Sequence, residues 1–323
     1  MIEEIRPNLF RIQVPLPDSP LKFLNSYVVK SPQRNLVIDT GLNRNACFEA
    51  MQKGLRELDV DLAKTDFFIT HLHADHFGLV TRLATDTSKL YFNRPEAEIV
   101  EGWGGWEPMI AYAGKSGFPE DELQSTIKQH PGHKFGSEWI PEISILNDDD
   151  QIDVGDYHFK CIATPGHSMG HMCLYEPDKK ILVAGDHILI DITPNIQCWS
   201  DEQNPLGKYL NSLDRVYDFE IELVLPGHRR LIDDHKARID ELKNHHKERL
   251  EEILVILKIE ADLNPYEVAS KMSWDIRADS WEDFPAAQKW FATGEAIAHL
   301  RYLEEKGRIR RSANDTHFRF SLN

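Results

Sequence analysis

TDFFITHLHADHFG, residues 65–78, decides how this chain is read. TDFFIT is apolar and aromatic enough to form a buried strand, and the polar residues that follow break it off abruptly. Three histidines and an aspartate then fall within six residues: His71, His73, Asp75 and His76. A loop at a strand end that gathers imidazole and carboxylate groups this densely has the pattern of a metal site. His71 and His73 are two apart, so in extended backbone they project to the same side and can grip one ion. Asp75 and His76 fall where the chain must turn, and can face a second.

A divalent ion needs three or four such ligands, so others must come from elsewhere. Each comes at the end of an apolar run: CIATPGHSMGH supplies His167, KILVAGDHIL supplies Asp186, and IELVLPGH supplies His228. Pro-Gly or Ala-Gly stands before each, a tight turn that aims a side chain out of a strand end. A lone histidine is more often a satisfied structural residue. His130, His133, His158, His235, His245, His246, His299 and His317 carry that reading. For the first set, four strand-end motifs in one chain outweigh it.

Outward from this stretch, LFRIQVPL, NSYVVKS and NLVIDTG read as short strands, and Cys47, Met51, Leu55 and Leu58 recur at helical spacing. Strand-like and helical segments then alternate to about Leu231, which predicts an α/β arrangement with sheets inside helices. Residues 95–140 read as helical and aromatic-rich, with Trp103, Trp106, Met109 and Tyr112. From Asp233 the strands stop. Three helices are expected there, the second opening on the Asn-Pro cap of NPYEVASKMSW and the third ended by Gly307. RIRRSANDTHFRFSL reads as a hairpin turning near Asn314-Asp315. That order is the order of a winged helix, and the change of pattern places the domains at 1–232 and 233–323.

Composition narrows the partners. With 53 acidic against 37 basic residues, the net charge of -16 repels phosphate backbones and anionic membranes. No apolar run approaches the roughly 18 residues of a membrane span, and the start MIEEIRPNLFRI lacks the features of a signal peptide. No two of the four cysteines form a C-x-x-C pair, and Cys161 and Cys173 sit in strand-like stretches as expected buried thiols. A soluble cytoplasmic protein is expected.

Over roughly residues 8–232 the sequence resembles the metallo-β-lactamase superfamily. The resemblance implies an αββα sandwich with its site at one edge of the two sheets. It also implies roles: His71, His73 and His167 match the first metal site, and Asp75, His76 and His228 the second. Asp186 matches the carboxylate that bridges both, and Asp39 in VIDTG the aspartate that orients the ligand loop without binding metal. Two zinc ions per chain are implied, with iron or manganese as alternatives; His73 stands where di-iron redox members carry Glu, which favours zinc and hydrolysis. Water bridging two dications has its pKa lowered from about 15.7 toward 7. The implied reaction is attack of a metal-bridging hydroxide on an ester or thioester, with Asp75 moving a proton to the leaving group.

GDHIL, ITPNI and LPGH, followed by NPYEVA and AIAHLRYLEEKGRI, are similar to a subgroup with a C-terminal winged-helix-like region. That subgroup holds both acyl thioesterases and a single-strand endoribonuclease, so two substrates stay open. A small-molecule or carrier-bound acyl group would use an apolar cleft walled by the 95–140 aromatics and by PLKFL around Phe23. RNA would use Lys306, Arg308, Arg310 and Arg311 as a basic wing, against which the acidic balance weighs. A DNA-binding regulator would leave the metal set unexplained. Leu250, Ile253, Leu254 and Leu257 form a stripe that needs a partner surface, and the resemblance implies docking beside the active site together with a homodimer.

Overall fold

The computed structural model of the chain describes residues 1–102, 105–130, 132–133, 142–276, 278–313 and 317–323; Trp103 and the Asn314-Asp315 turn lie outside them. Seven strands form one sheet in chain order: β1 Ile2–Arg6, β2 Leu9–Pro15, β3 Phe23–Val29, β4 Asn35–Ile38, β5 Thr65–Phe68, β6 Leu90–Asn93 and β7 Ile143–Leu146. β1 adds an edge strand to the three that the sequence predicts at this end. A second sheet holds β8 Gln151–Val154, β9 Tyr157–Ala163, β10 Met172–Glu176, β11 Ile181–Gly185 and β12 Leu223–Pro226, in the order β12-β11-β10-β9-β8.

The two-residue period of a strand explains how the sheets stack. Val28, Val37 and Phe67 share a core with Cys47, Met51 and Leu55 of the helix Asn45–Glu57. Their strand neighbours Tyr27, Val29, Leu36, Ile38 and Phe68 belong instead to a core with Phe159, Cys161, Leu174, Val183 and Leu225 of the second sheet. Each such side chain contributes about 1.5–3 kcal/mol when buried. A one-residue slip would exchange the two faces, so the register is strongly held. All four cysteines are buried and free.

The chain packs as two compact units. The first comprises Met1–Trp103, Pro131–Pro194 and Ser212–Arg238, and the second Gly104–His130, Asn195–Asn211 and Ile239–Asn323. In the second, the elements run most of helix His235–Ile259 from Ile239 on, helix Pro265–Lys271, helix Ala286–Glu305, then β13 Ile309–Ala313 paired antiparallel with β14 Phe318–Leu322. Asn264 caps the short helix: its side chain accepts from Glu267 N–H, while the Glu267 carboxylate accepts from Asn264 N–H, both at 2.8 Å. This unit also draws in 104–130 and 195–211, which the sequence places in the first domain. The cause is Trp290, buried against Ala113, Phe118, Leu123 and Ile127 and stacked on Trp199 with ring centroids 3.9 Å apart. Among the described residues, no helix is long and apolar enough to cross a membrane.

Candidate metal centre

Strand direction brings the candidate ligands together. β4 and β5 are parallel, so Asp39 and the run to His71 leave from the same edge. β10 is antiparallel to both β9 and β11, and β11 is parallel to β12. The carboxyl ends of β9, β11 and β12 therefore point one way, and His167, Asp186 and His228 follow them. The Met172 N–H donates to the Thr70 carbonyl at 2.9 Å, tying the two edges together. The single turn Ala74–Phe77 then sets Asp75 and His76 beside them.

Three groups have ligand atoms all within 4.8 Å of one another: His71, His73 and His167; His71, His76 and Asp186; Asp75, His76 and His228. His73 Nδ1 lies 2.9 Å from His71 Nε2 and 3.0 Å from His167 Nε2. Asp186 reaches His76 Nε2 at 3.5 Å through Oδ1, and through Oδ2 reaches His228 at 3.5 Å and His167 at 3.7 Å. Asp75 Oδ2 is 3.4 Å from His228 Nε2, its side chain 19% exposed.

The surrounding bonds fix the imidazole tautomers. His76 Nδ1 donates to Asp39 Oδ2 at 2.7 Å, and His228 Nδ1 donates to the Phe23 carbonyl at 3.0 Å. The Thr70 hydroxyl gives its proton to Asp39 at 2.9 Å, so at His71 Nδ1, 3.0 Å away, it accepts. Each of the three rings thus turns Nε2, the nitrogen a metal ion would take, inward. His76 Nε2, His228 Nε2 and Asp186 Oδ1 are fully buried with no hydrogen-bond partner. Orphaned buried groups of this kind are rare in native proteins and mark a place for an ion or water.

Charge balance points the same way. Burial pushes His73 down to about 3, helped by the neighbouring His167. Burial opposes protonation of His228 too, yet Asp186 and Asp75 outweigh it and hold that imidazole up at about 10. Burial works to raise the Asp75 carboxyl, but His76 and His228 together keep it below the usual range. The cluster asks for positive charge among buried carboxylates, which a divalent cation satisfies.

Two glycines are required. Gly185 has φ +48°, and a Cβ there would lie 2.7 Å from His171 Nε2. A Cβ on Gly227 would lie 2.5 Å from Asp186 Oδ1. The tight turns that the sequence predicts before Asp186 and His228 are thus places where only glycine fits.

Two residues escape sequence reasoning. His171 accepts from the Asp186 N–H at 3.1 Å through Nε2 and donates from Nδ1 to the Thr164 hydroxyl at 2.8 Å, which seats Asp186. It lies in the same run as His167, and nothing in the spacing distinguishes it. Glu96 reaches the loops of His71 and His167, and as an acid in a helix's first turn it looks like an ordinary capping charge. Among the histidines given a structural reading, none enters the three groups in the described residues, and His246 and His299 are buried side by side at 3.1 Å. Trp106 and Met109 pack against the Phe118–Trp290 core of the second unit, while Leu21 and Leu24 of PLKFL pack in the first unit's core. Packing accounts for these apolar residues.

The sequence pattern of the metallo-beta-lactamase superfamily matches residues 20–228, and that of a metallo-beta-lactamase-like C-terminal domain matches residues 282–323. The chain is 30% identical to the human acyl-coenzyme A thioesterase MBLAC2 over 63% of its own length and 72% of the relative's. It is 24% identical to the lactamase-like protein adaB of Aspergillus niger, covering 92% of this chain and 90% of that one. A metallo-beta-lactamase family protein of Thermus thermophilus superposes with a TM-score of 0.82 at 27% identity, covering 99% of this chain and all of the other. A beta-lactamase domain protein from Burkholderia ambifaria shares the fold with a TM-score of 0.86 at 24% identity, covering 100% of this chain and 94% of its own.

Proposed function

The chain belongs to the metallo-beta-lactamase superfamily, and from that premise we propose that it is a two-metal hydrolase of acyl esters or thioesters, zinc being the metal. The carrying observation is the convergence of His76 Nε2, His228 Nε2 and Asp186 Oδ1, buried and without a hydrogen-bond partner, beside the trio His71, His73 and His167. A ligand set of imidazole nitrogens and carboxylate oxygens is one that catalytic zinc takes. His71, His73 and His167 would hold one ion, Asp75, His76 and His228 the other, and Asp186 both. Two such ions supply Lewis-acid polarisation of a carbonyl and a lowered pKa for water.

The chain's own groups do the rest in this reading. Asp39 keeps the proton of His76 on Nδ1 and, through Thr70, that of His71 on Nδ1, so both ligand nitrogens stay free. Asp75, the ligand carboxylate with more solvent access, holds the proton taken from water at Oδ2 and delivers it to the leaving group. An acyl substrate is supported by the thioesterase activity that the human relative's name carries. Residues 233–323, winged-helix-like in element order, serve shape and pairing of two chains rather than chemistry.

The test is a panel of acyl-coenzyme A thioesters, p-nitrophenyl esters, lactones and labelled single-stranded RNA, run on protein purified without chelator and assayed for metals. About two zinc ions per chain and EDTA-sensitive thioester or ester hydrolysis are expected. One iron per chain without zinc refutes the zinc assignment, and turnover of RNA alone refutes the acyl one.

A further inference from the structure

A buried carboxylate is costly unless hydrogen bonds compensate it, and Glu96 is 1% exposed. It lies in the first turn of the helix Arg94–Glu101, where acids ordinarily face solvent. Its two oxygens serve two different loops. Oε2 accepts from the Leu72 N–H at 3.0 Å, and Oε1 accepts from the Gly170 N–H at 2.7 Å. Leu72 stands between His71 and His73, on the loop that leaves β5; Gly170 stands between His167 and His171, on the loop that leaves β9. These strands belong to different sheets. Asn93, three residues before Glu96, donates from Nδ2 to the Gly170 carbonyl at 2.9 Å, so the N–H and the carbonyl of Gly170 are both held from one place. Gly170 is fitted to the contact, since a Cβ there would lie 2.5 Å from Glu96 Cγ.

We infer that Glu96 is the positioning residue of the His71–His73–His167 group, one carboxylate that sets the distance between the two loops carrying its three nitrogens. The inference rests on reading that group as a metal site. A single side chain bonded to both loops holds His167 opposite His71 and His73, nearer the three nitrogens than the Met172–Thr70 backbone bond that ties the strand edges. Groups that orient metal ligands typically change affinity by about 10–100-fold when removed. In Glu96→Gln the amide keeps one acceptor oxygen and turns an NH2 toward the other backbone N–H, so one loop is released. Glu96→Ala releases both.

The experiment measures zinc affinity of the full-length chain by competition with a chromogenic chelator, the visible spectrum of the cobalt-substituted protein, and the melting temperature of the metal-free form. For Glu96→Gln zinc affinity is expected to weaken about 10–100-fold at one of the binding steps, and the cobalt spectrum to shift. If the metal-free melting temperature falls while affinity and cobalt spectrum match the wild type, Glu96 is only a structural residue and the inference is overturned. Should Glu96→Ala not fold, Gly170→Ala displaces the same carboxylate by contact, and unchanged affinity there overturns it equally. Wild-type protein that binds no zinc refutes the metal reading itself, which separates that failure from failure of the clamp.

Discussion

His76 donates its Nδ1 proton to Asp39 Oδ2 across 2.7 Å, and Asp39 accepts it from a left-handed backbone with φ 57°. The same carboxylate receives the Thr70 N–H and the Thr70 hydroxyl, each at 2.9 Å. One aspartate therefore orders three donors, setting the tautomer of His76 directly and that of His71 through Thr70. Aspartate and asparagine are the side chains, after glycine, that tolerate this backbone region best.

Asp39→Asn should consequently fold but work poorly. Asparagine keeps the backbone conformation yet offers one acceptor atom instead of two oxygens, so either Thr70 or His76 loses its partner. A His76 ring released from Asp39 can carry its proton on Nε2, the atom needed inside. A fall in kcat/KM of about 10–100-fold, with reduced metal content, is expected. Steady-state kinetics and elemental analysis on one preparation check it, and an unchanged pair of values removes Asp39 from this role.

Asp186→Ala should cost more metal than His71→Ala. Asp186 is the carboxylate within 3.7 Å of His76, His167 and His228 together, and its loss removes the one carboxylate that these three rings share. His71→Ala leaves Asp75, His76 and His228 as a group with Asp186 still beside them, whereas Asp186→Ala keeps both outer groups and takes away the carboxylate between them. Metal content per chain should rank wild type, His71→Ala, Asp186→Ala, with hydrolysis near background in the last. Full activity in both variants would place the active site elsewhere.

Much of this was legible in the sequence because strand ends are local. An apolar run and the polar residue that ends it are read in ten residues, with an Ala-Gly or Pro-Gly turn before Asp186 and His228, so His71, Asp186 and His228 are singled out as candidates without knowing which strands pair. Glu96 and His171 are of another kind. Their meaning lies in partners 24 to 74 residues away for Glu96 and 15 for His171, bonded to backbone N–H groups that every residue offers. The reach of Trp290 to Trp199 and Phe118 is likewise a matter of packing, and no periodicity announces it. The fold followed from local pattern; the bonds that hold the site rigid followed from topology.

Glu295 gives the second unit a pH dependence of its own. Burial raises its carboxyl from 4.5 to about 7, against the opposing pull of Arg249 and of Asn195, which donates to it at 3.0 Å. A raised folded-state pKa means that the folded chain holds a proton which the unfolded chain releases. The stability this contributes is complete below about 4.5 and lost as pH rises through about 7. Chemical denaturation at pH 5 and pH 8 should show Glu295→Gln losing less stability than wild type over that interval, by about 1–3 kcal/mol. Equal losses would mean that the carboxyl titrates as in water.

Substrate class can be decided by salt. A nuclease must neutralise phosphates, and on a single strand log affinity falls with log salt by about 0.7 per phosphate contacted. Of the four cations at the hairpin, Arg311 is held by Asp201 and, at 3.2 Å, by Glu304, which leaves Lys306, Arg308 and Arg310 exposed. Three exposed cations on a chain of net charge -16 are a weak anchor for a polyanion. An acyl thioester asks only for a polarising centre and a proton carrier, the roles proposed above for the groups around Asp186 and for Asp75. Thioester or ester hydrolysis should therefore change little between low and moderate salt, and Lys306, Arg308 and Arg310 replaced together by Ala should leave it nearly intact. If the purified protein instead cleaves single-stranded RNA, turns over no acyl ester, and loses the cleavage in that triple variant, the phosphodiester reading takes its place.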